Sequence, residues 1–92
     1  MIKIIAGKYN RLSLSVPNGI KVRPTEIRKK ESLFNIITSY YIKQNKDVFK
    51  NKIILDAFAG SGSLGIESLS RGANFCYFFE KDKEVFENLV RN

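Results

Sequence analysis

Six consecutive residues near the middle of the chain, Gly60-Ser61-Gly62-Ser63-Leu64-Gly65, carry the spacing G-x-G-x-x-G, with an acid on each side. Asp56 lies four positions before Gly60, and Glu80 lies twenty positions after it. Glycine has no Cβ, so a loop of this kind can turn tightly and let a ligand approach the backbone. A helix beginning there points free amides and the positive end of its dipole at that ligand. A carboxylate at the tip of the next strand can accept both ribose hydroxyls of a nucleoside. The glycine spacing alone is weak, since a structural turn can produce it. Strand context and the second-strand acid together favour a nucleoside site. With no His and one Cys, metal chemistry would have to rest on carboxylates alone.

Those residues need strands and helices to hold them. Lys52-Ile53-Ile54-Leu55-Asp56 contains three successive apolar residues, as a parallel strand covered on both faces does. A helix over Ile66 to Arg71 follows the loop, and Gly72 is a natural residue to end it. Asn74 to Phe79 reads as a second buried strand ending at Glu80. Asp82 can cap a last helix with Val85, Phe86, Leu89 and Val90 on one face. The order strand, helix, strand, helix is the βαβα pattern of an α/β doubly wound sheet.

The upstream half reads differently. Arg11-Leu12-Ser13-Leu14-Ser15-Val16 alternates with the period of a half-buried strand, and Ile2, Ile4 and Ile5 form a shorter apolar run. Gly7 to Asn10 can join them into a hairpin, which Pro17-Asn18-Gly19 closes. A helix is expected after Val22-Arg23-Pro24, with Thr25 as N-cap and Ile27, Phe34, Ile37 and Tyr41 as one apolar stripe. The stripe dissolves in the polar connector Gln44-Asn45-Lys46-Asp47. Three regions result: a hairpin over 1–20, a helix and connector over 21–50, and the βαβα unit over 51–92.

Ninety-two residues permit one small domain of marginal stability. No apolar run approaches the roughly 20 residues of a membrane span, and the first residues do not form a signal peptide. Cys76 is alone, which excludes a disulfide framework and favours a reducing, cytoplasmic setting. Residues 1–50 hold 11 Lys/Arg against 3 Asp/Glu, whereas residues 51–92 hold 5 against 6. All the excess positive charge therefore lies in the first half, which suits a polyanion partner. A solvated basic face is the bland alternative.

A dinucleotide would bring a pyrophosphate to the loop, where the extra carboxylate of Asp56 is unfavourable. A ligand with an ammonium group and a sulfonium, as in S-adenosylmethionine, suits that acid better. A nicotinamide cofactor is the runner-up, and plain capping of the loop is the structural alternative for Asp56.

The block from Asp56 to Glu67, Asp-Ala-Phe-Ala-Gly-Ser-Gly-Ser-Leu-Gly-Ile-Glu, resembles the D-x-F-A-G-S-G-x-L-G-x-E block of the RsmD family. These bacterial methyltransferases act on a guanine amino group of small-subunit ribosomal RNA. Ile4 to Tyr9, Val22 to Thr25, Arg28 to Asn35, Ser70 to Ala73 and Phe79 to Asp82 resemble it too, in the same order. The likeness spans essentially the whole chain.

The resemblance implies a Rossmann-like class I methyltransferase fold that binds S-adenosylmethionine. By it, Asp56, Gly60, Gly62 and Gly65 line the methionine side of the cofactor and Glu80 holds the ribose. Phe58 and Ser61 shape the loop, and Lys81 lies where the adenine edge falls. Arg23 and Thr25 match a motif near the methionine end, with helix capping as the alternative. Lys3, Lys8, Arg11, Lys21, Arg28, Lys29 and Lys30 are candidates for phosphates of the small-subunit RNA or its assembling subunit. The family's Asn- or Asp-Pro-Pro-aromatic motif is missing, since Pro17 and Pro24 are the only prolines. No residue is therefore assigned as catalytic. The expectation is a truncated first half, inactive alone and poorly stable, which a second polypeptide could complete. A remnant that binds cofactor or RNA without chemistry is the other reading.

Overall fold

In a computed structural model the chain is described over residues 2–92, with the Thr25 side chain outside the described set. Seven elements follow one another: β1 (Ile2–Lys3), β2 (Ser13–Leu14), α1 (Pro24–Ile42), β3 (Ile53–Asp56), α2 (Ser63–Ser70), β4 (Phe75–Phe78) and α3 (Lys83–Arg91). β1 and β2 form an antiparallel hairpin, and β3 and β4 a parallel pair with Ile53 opposite Phe75 and Asp56 opposite Phe78. The βαβα order read from the sequence is present, and α2 is the crossover a parallel pair needs.

The hairpin is shorter than the alternation suggests. Arg11 takes a positive φ of 71°, which ends the extended run. Pairing continues only as the isolated bonds Ile4 N to Leu12 O at 2.9 Å and Arg11 N to Ile4 O at 2.9 Å. Leu14 is buried and Val16 half-buried, but Leu12 is left exposed.

α1 begins two residues earlier than expected. Pro24 takes the first helical turn, where its fixed φ is suited and its missing N–H costs nothing. The residue before a proline is pushed to extended geometry, so Arg23 (φ −83°, ψ 143°) becomes the N-cap, without a side-chain cap bond. Thr25 is thus inside the helix, correcting its assignment as N-cap; its side chain lies outside the described residues. The apolar stripe is only partly buried. Phe34 is 4% exposed and packs on Phe49 with ring centroids 5.8 Å apart, while Ile27 is 41% exposed. Between them Lys30 is turned inward at 7% exposure.

Lys30 meets Glu67, the fully buried acid of α2. Glu67 accepts from Lys30 Nζ (3.1 Å), Arg71 Nε (2.9 Å), Ile5 N (2.8 Å) and Ala6 N (3.1 Å). One carboxylate thereby joins the hairpin turn, α1 and α2. Ser70 adds to the seam, donating its hydroxyl to Ala6 O (2.6 Å) and accepting from Tyr9 N (2.8 Å).

α3 is capped as read, with Asp82 accepting from Val85 N at 3.0 Å. Its buried face is rotated from the apolar one. Leu89 is buried and Val85 half-buried, but Phe86 and Val90 stay exposed and Asn88 is inside. The reason is polar: Asn88 Nδ2 and Asn92 Nδ2 both donate to Ser15 O, at 2.8 and 2.9 Å. The hairpin is bound to α3 through amides rather than through methyl groups. Among the described residues no helix is long and apolar enough to cross a membrane, and none of them form a metal-binding cluster.

Candidate functional site

The glycine loop leaves β3 at Asp56 and enters α2 at Ser63, three residues before the helix start expected from the sequence. It is tied down at both ends. Phe79 N donates to Asp56 O (3.0 Å), Ala59 N to Phe79 O (2.9 Å), and Gly62 N to Ala59 O (2.8 Å). These bonds fold the loop over the carboxyl ends of the two parallel strands, the usual place for a ligand in an open α/β sheet.

The three glycines do different work. Gly60 has φ +57°, and a Cβ built on it would meet nothing within 4 Å, so its surroundings are open. Gly62 and Gly65 face the other way. A Cβ on Gly62 would lie 2.6 Å from Leu89 Cδ1, and one on Gly65 would lie 2.7 Å from Cys76 Sγ and closer still to the Phe78 ring. These two glycines let α2 sit against α3 and β4. A side chain at either position would meet protein atoms, and Gly62 also holds a left-handed φ of +87° that favours glycine.

The acids converge on the loop backbone. Asp56 is 9% exposed, and its Oδ2 accepts from Gly65 N at 3.1 Å. Burial pushes its carboxyl above the ordinary aspartate value and the Glu80 charge adds to that, against a lowering by the Gly65 amide. Glu80 accepts from Gly60 N through Oε1 at 2.8 Å and from Asp82 N through Oε2 at 2.9 Å. The structure therefore brings Asp56, Gly60, Gly65 and Glu80 together. Ser61 is held from the end of α3 instead, its carbonyl accepting from Asn92 Nδ2 at 2.9 Å. Phe58 stands out at 95% exposure, and Lys81 is exposed beside Glu80.

Arg23 and Thr25 open α1, whose first turn reaches the start of α2. Val22, Glu26, Ile27 and Lys30 line a cavity of about 170 Å³ with Ile2, Ser63 and Leu64. Ser63 was not singled out by the sequence, yet its hydroxyl is buried with no partner among the described residues. Only its place inside the glycine block could have marked it. A larger hollow, about 500 Å³, lies between the end of α1 and residues 45–49, with Arg71 at its edge. It is at the far end of α2 from the loop. Its one acid, Asp47, is already taken by the amides of Phe49 (2.9 Å) and Lys50 (3.2 Å). The loop is the better-built site.

Of the basic residues, Lys3, Lys8, Arg11, Lys21, Arg28 and Lys29 are exposed. Lys30 is not, and its burial against Glu67 removes it from the set available to phosphates. Cys76 is buried between the sheet and α2, and burial pushes its thiol up, as befits a packing residue.

Residues 2–92 match the family described as Conserved hypothetical protein 95. The methylase RP545 of Rickettsia prowazekii is 48% identical over 82 residues, covering 89% of this chain and 35% of the relative. Ribosomal RNA small subunit methyltransferase D of Haemophilus influenzae is 45% identical over 91 residues, covering 99% of this chain and 43% of the relative. Among solved structures, a protein from Escherichia coli described as a methyltransferase matches with TM-score 0.78 and 40% identity, over 99% of this chain and 45% of that one. The chain thus spans less than half the length of these relatives, and the part it spans has the class I methyltransferase fold. By sequence and by fold the chain belongs to the Conserved hypothetical protein 95 family, the RsmD family of methyltransferases.

Proposed function

We propose that this chain forms the cofactor-binding half of an S-adenosylmethionine-dependent methyltransferase acting on a guanine exocyclic amino group of small-subunit ribosomal RNA. The observation that carries the reading is the pairing of Gly60 with Glu80 at the carboxyl ends of adjacent parallel strands, beside Asp56. Two carboxylates flanking one loop repel a pyrophosphate and favour a ligand bearing positive charge. The residues fit the group. The surroundings of Gly60 are open, Glu80 can exchange backbone amides for ribose hydroxyls, and Asp56 can face the ammonium end. The cofactor, when bound, supplies an electrophilic methyl group. This chain's residues bind and orient it; the transfer itself calls on residues outside the part matched here.

The basic surface supports RNA as substrate. Lys8, Arg11, Lys21, Arg28 and Lys29 are exposed, and a nucleic-acid partner would meet them through phosphates. A cytoplasmic setting follows from that substrate.

Calorimetry with S-adenosylmethionine and with NAD tests the reading. S-adenosylmethionine should bind and NAD should not. Glu80→Ala should weaken binding about 10- to 100-fold, the worth of hydrogen bonds to a charged group. NAD binding that depends on Glu80 would instead support a nicotinamide-dependent fragment. Cofactor and RNA binding without transfer, even by a full-length form, would leave a non-catalytic binding module.

A further inference from the structure

Lys30, Glu67 and Arg71 form a buried cluster whose charges do not cancel. Their side chains are 7%, 0% and 12% exposed, and Glu67 is the only acid within ion-pair distance of either cation among the described residues. Two positive charges therefore share one negative charge away from bulk water. A buried charge that lacks a partner is costly, and a bound anion would relieve that excess.

The excess borders an opening. The cavity of about 500 Å³ beyond the end of α1 is lined by Thr38, Ile42, Lys46, Val48, Phe49 and Arg71, among others. Its volume is ordinary for a small-molecule site. Lys46 and Asp47, both exposed, are adjacent on its wall and offset one another, so Arg71 sets its sign. The guanidinium is already oriented. Its Nε donates to Glu67 Oε2 at 2.9 Å, its one hydrogen bond among the described residues, and its Cζ lies 4.7 Å over the Phe34 ring. The two Nη groups are left without a protein acceptor, and a planar fork of this kind pairs with a carboxylate through parallel bonds. Thr38 has a buried hydroxyl with no partner among the described residues. The last carbonyls of α1 offer no competing negative end, because Lys46 N donates to Tyr41 O and Asn45 N to Ile42 O, each at 2.9 Å. Thr38 and Ile42 are one turn apart on α1, on the opposite flank of that helix from the exposed Leu33, Ile36 and Tyr40.

We propose that this cavity binds a small organic carboxylate with an apolar body, the carboxylate held in the Arg71 fork and the body laid against Ile42, Val48 and Phe49. One negative charge balances the cluster, whereas a phosphate monoester brings nearly two at neutral pH. The site lies at the far end of α2 from the glycine loop and does not depend on the reading of that loop as a cofactor site.

Titration of the isotope-labelled 92-residue chain with phenylbutyrate, followed through amide and Arg71 Nε–H resonances, tests this. Shifts confined to residues 45–49, the end of α1 and Arg71 are expected, with a Kd of about 1 mM or tighter for a ligand of this size. Phenylbutyramide has the same shape without the charge and should bind about ten-fold more weakly or worse, as should phenylbutyrate to Arg71→Gln. Arg71→Gln also disturbs Glu67, so Ile42→Glu supplies a second arm. At an exposed position it should leave the circular dichroism unchanged, yet it sets a like charge at the cavity mouth and should weaken binding by a similar factor. Ile36→Glu, on the opposite flank, should have no effect. No shifts at about 10 mM phenylbutyrate, equal affinity for the amide, wild-type binding by Ile42→Glu, or tighter binding of adenosine monophosphate through Arg71 would each overturn the proposal.

Discussion

Glu67 shows what a single buried charge can organise. Burial works against its ionisation, but the Ile5 amide, Arg71 and Lys30 outweigh that, and its carboxyl lies below the ordinary value of 4.5. A depressed folded-state value means the stabilisation is present above the unfolded-state value and is lost as pH falls through the folded one. The chain should therefore lose stability in acid from about pH 4.5 downward, and Glu67→Gln should flatten that part of the profile in urea titrations. Glu67→Ala, which strands Lys30 and Arg71, should cost about 3–5 kcal/mol at neutral pH. Asp56 has the opposite sign. Its value is raised, so its contribution is full below the ordinary 3.8 and is lost as pH rises through the folded-state value. Asp56→Asn keeps an acceptor for the Gly65 amide and removes a buried charge. It should raise the Tm of the ligand-free chain at pH 7 while weakening S-adenosylmethionine binding, which a thermal melt and calorimetry would measure together. A lowered Tm would mean the charge, and not the acceptor, is what the loop uses.

At the level of the elements, the glycine loop is a joint with one open side and one packed side. Gly65→Ala would press a methyl group into Cys76 and Phe78 and should cost about 1–3 kcal/mol, as overpacking does. Gly60→Ala has free space and suffers only the left-handed backbone, about 1–2 kcal/mol. The two should separate in ligand response: S-adenosylmethionine should stabilise the Gly65 variant by the wild-type increment and the Gly60 variant by less. Differential scanning fluorimetry with and without cofactor reads this directly. Equal increments would remove Gly60 from the ligand's side of the loop. α3 illustrates how an element can be right and its face wrong. Its apolar pattern places Phe86 and Val90 inward, but the amides of Asn88 and Asn92 anchor it to Ser15.

Across the whole molecule, the basic first half and the half that carries the glycine loop are bolted together along α2. Lys29 and Lys30 are neighbours in sequence with opposite fates, one on the surface and one under it. Lys29→Gln should lower RNA affinity about two- to ten-fold and reduce the salt slope by about one phosphate's worth, with no change in Tm. Lys30→Gln should lower Tm and leave the RNA affinity of the folded fraction unchanged. Filter binding across a salt series, paired with thermal melts, decides between these outcomes. An equal RNA defect in both would mean that Lys30 reaches solvent in the bound form.

The order of elements, the loop and its two acids were legible in the residues themselves, because glycine spacing, apolar runs and capping side chains act over a few positions. The start of α1 differs from its sequence pattern for a local reason: Pro24 overrides Thr25 by constraining Arg23. Tertiary structure decided the rest. Whether a lysine faces solvent or a buried glutamate depends on contacts between residues 30 and 67, a separation that no short pattern records. The division of labour among Gly60, Gly62 and Gly65 likewise depends on where α3 and β4 lie. One face of the parallel pair reads as buried from its composition and yet is bare, because burial belongs to whatever packs against a strand and not to the strand's own residues.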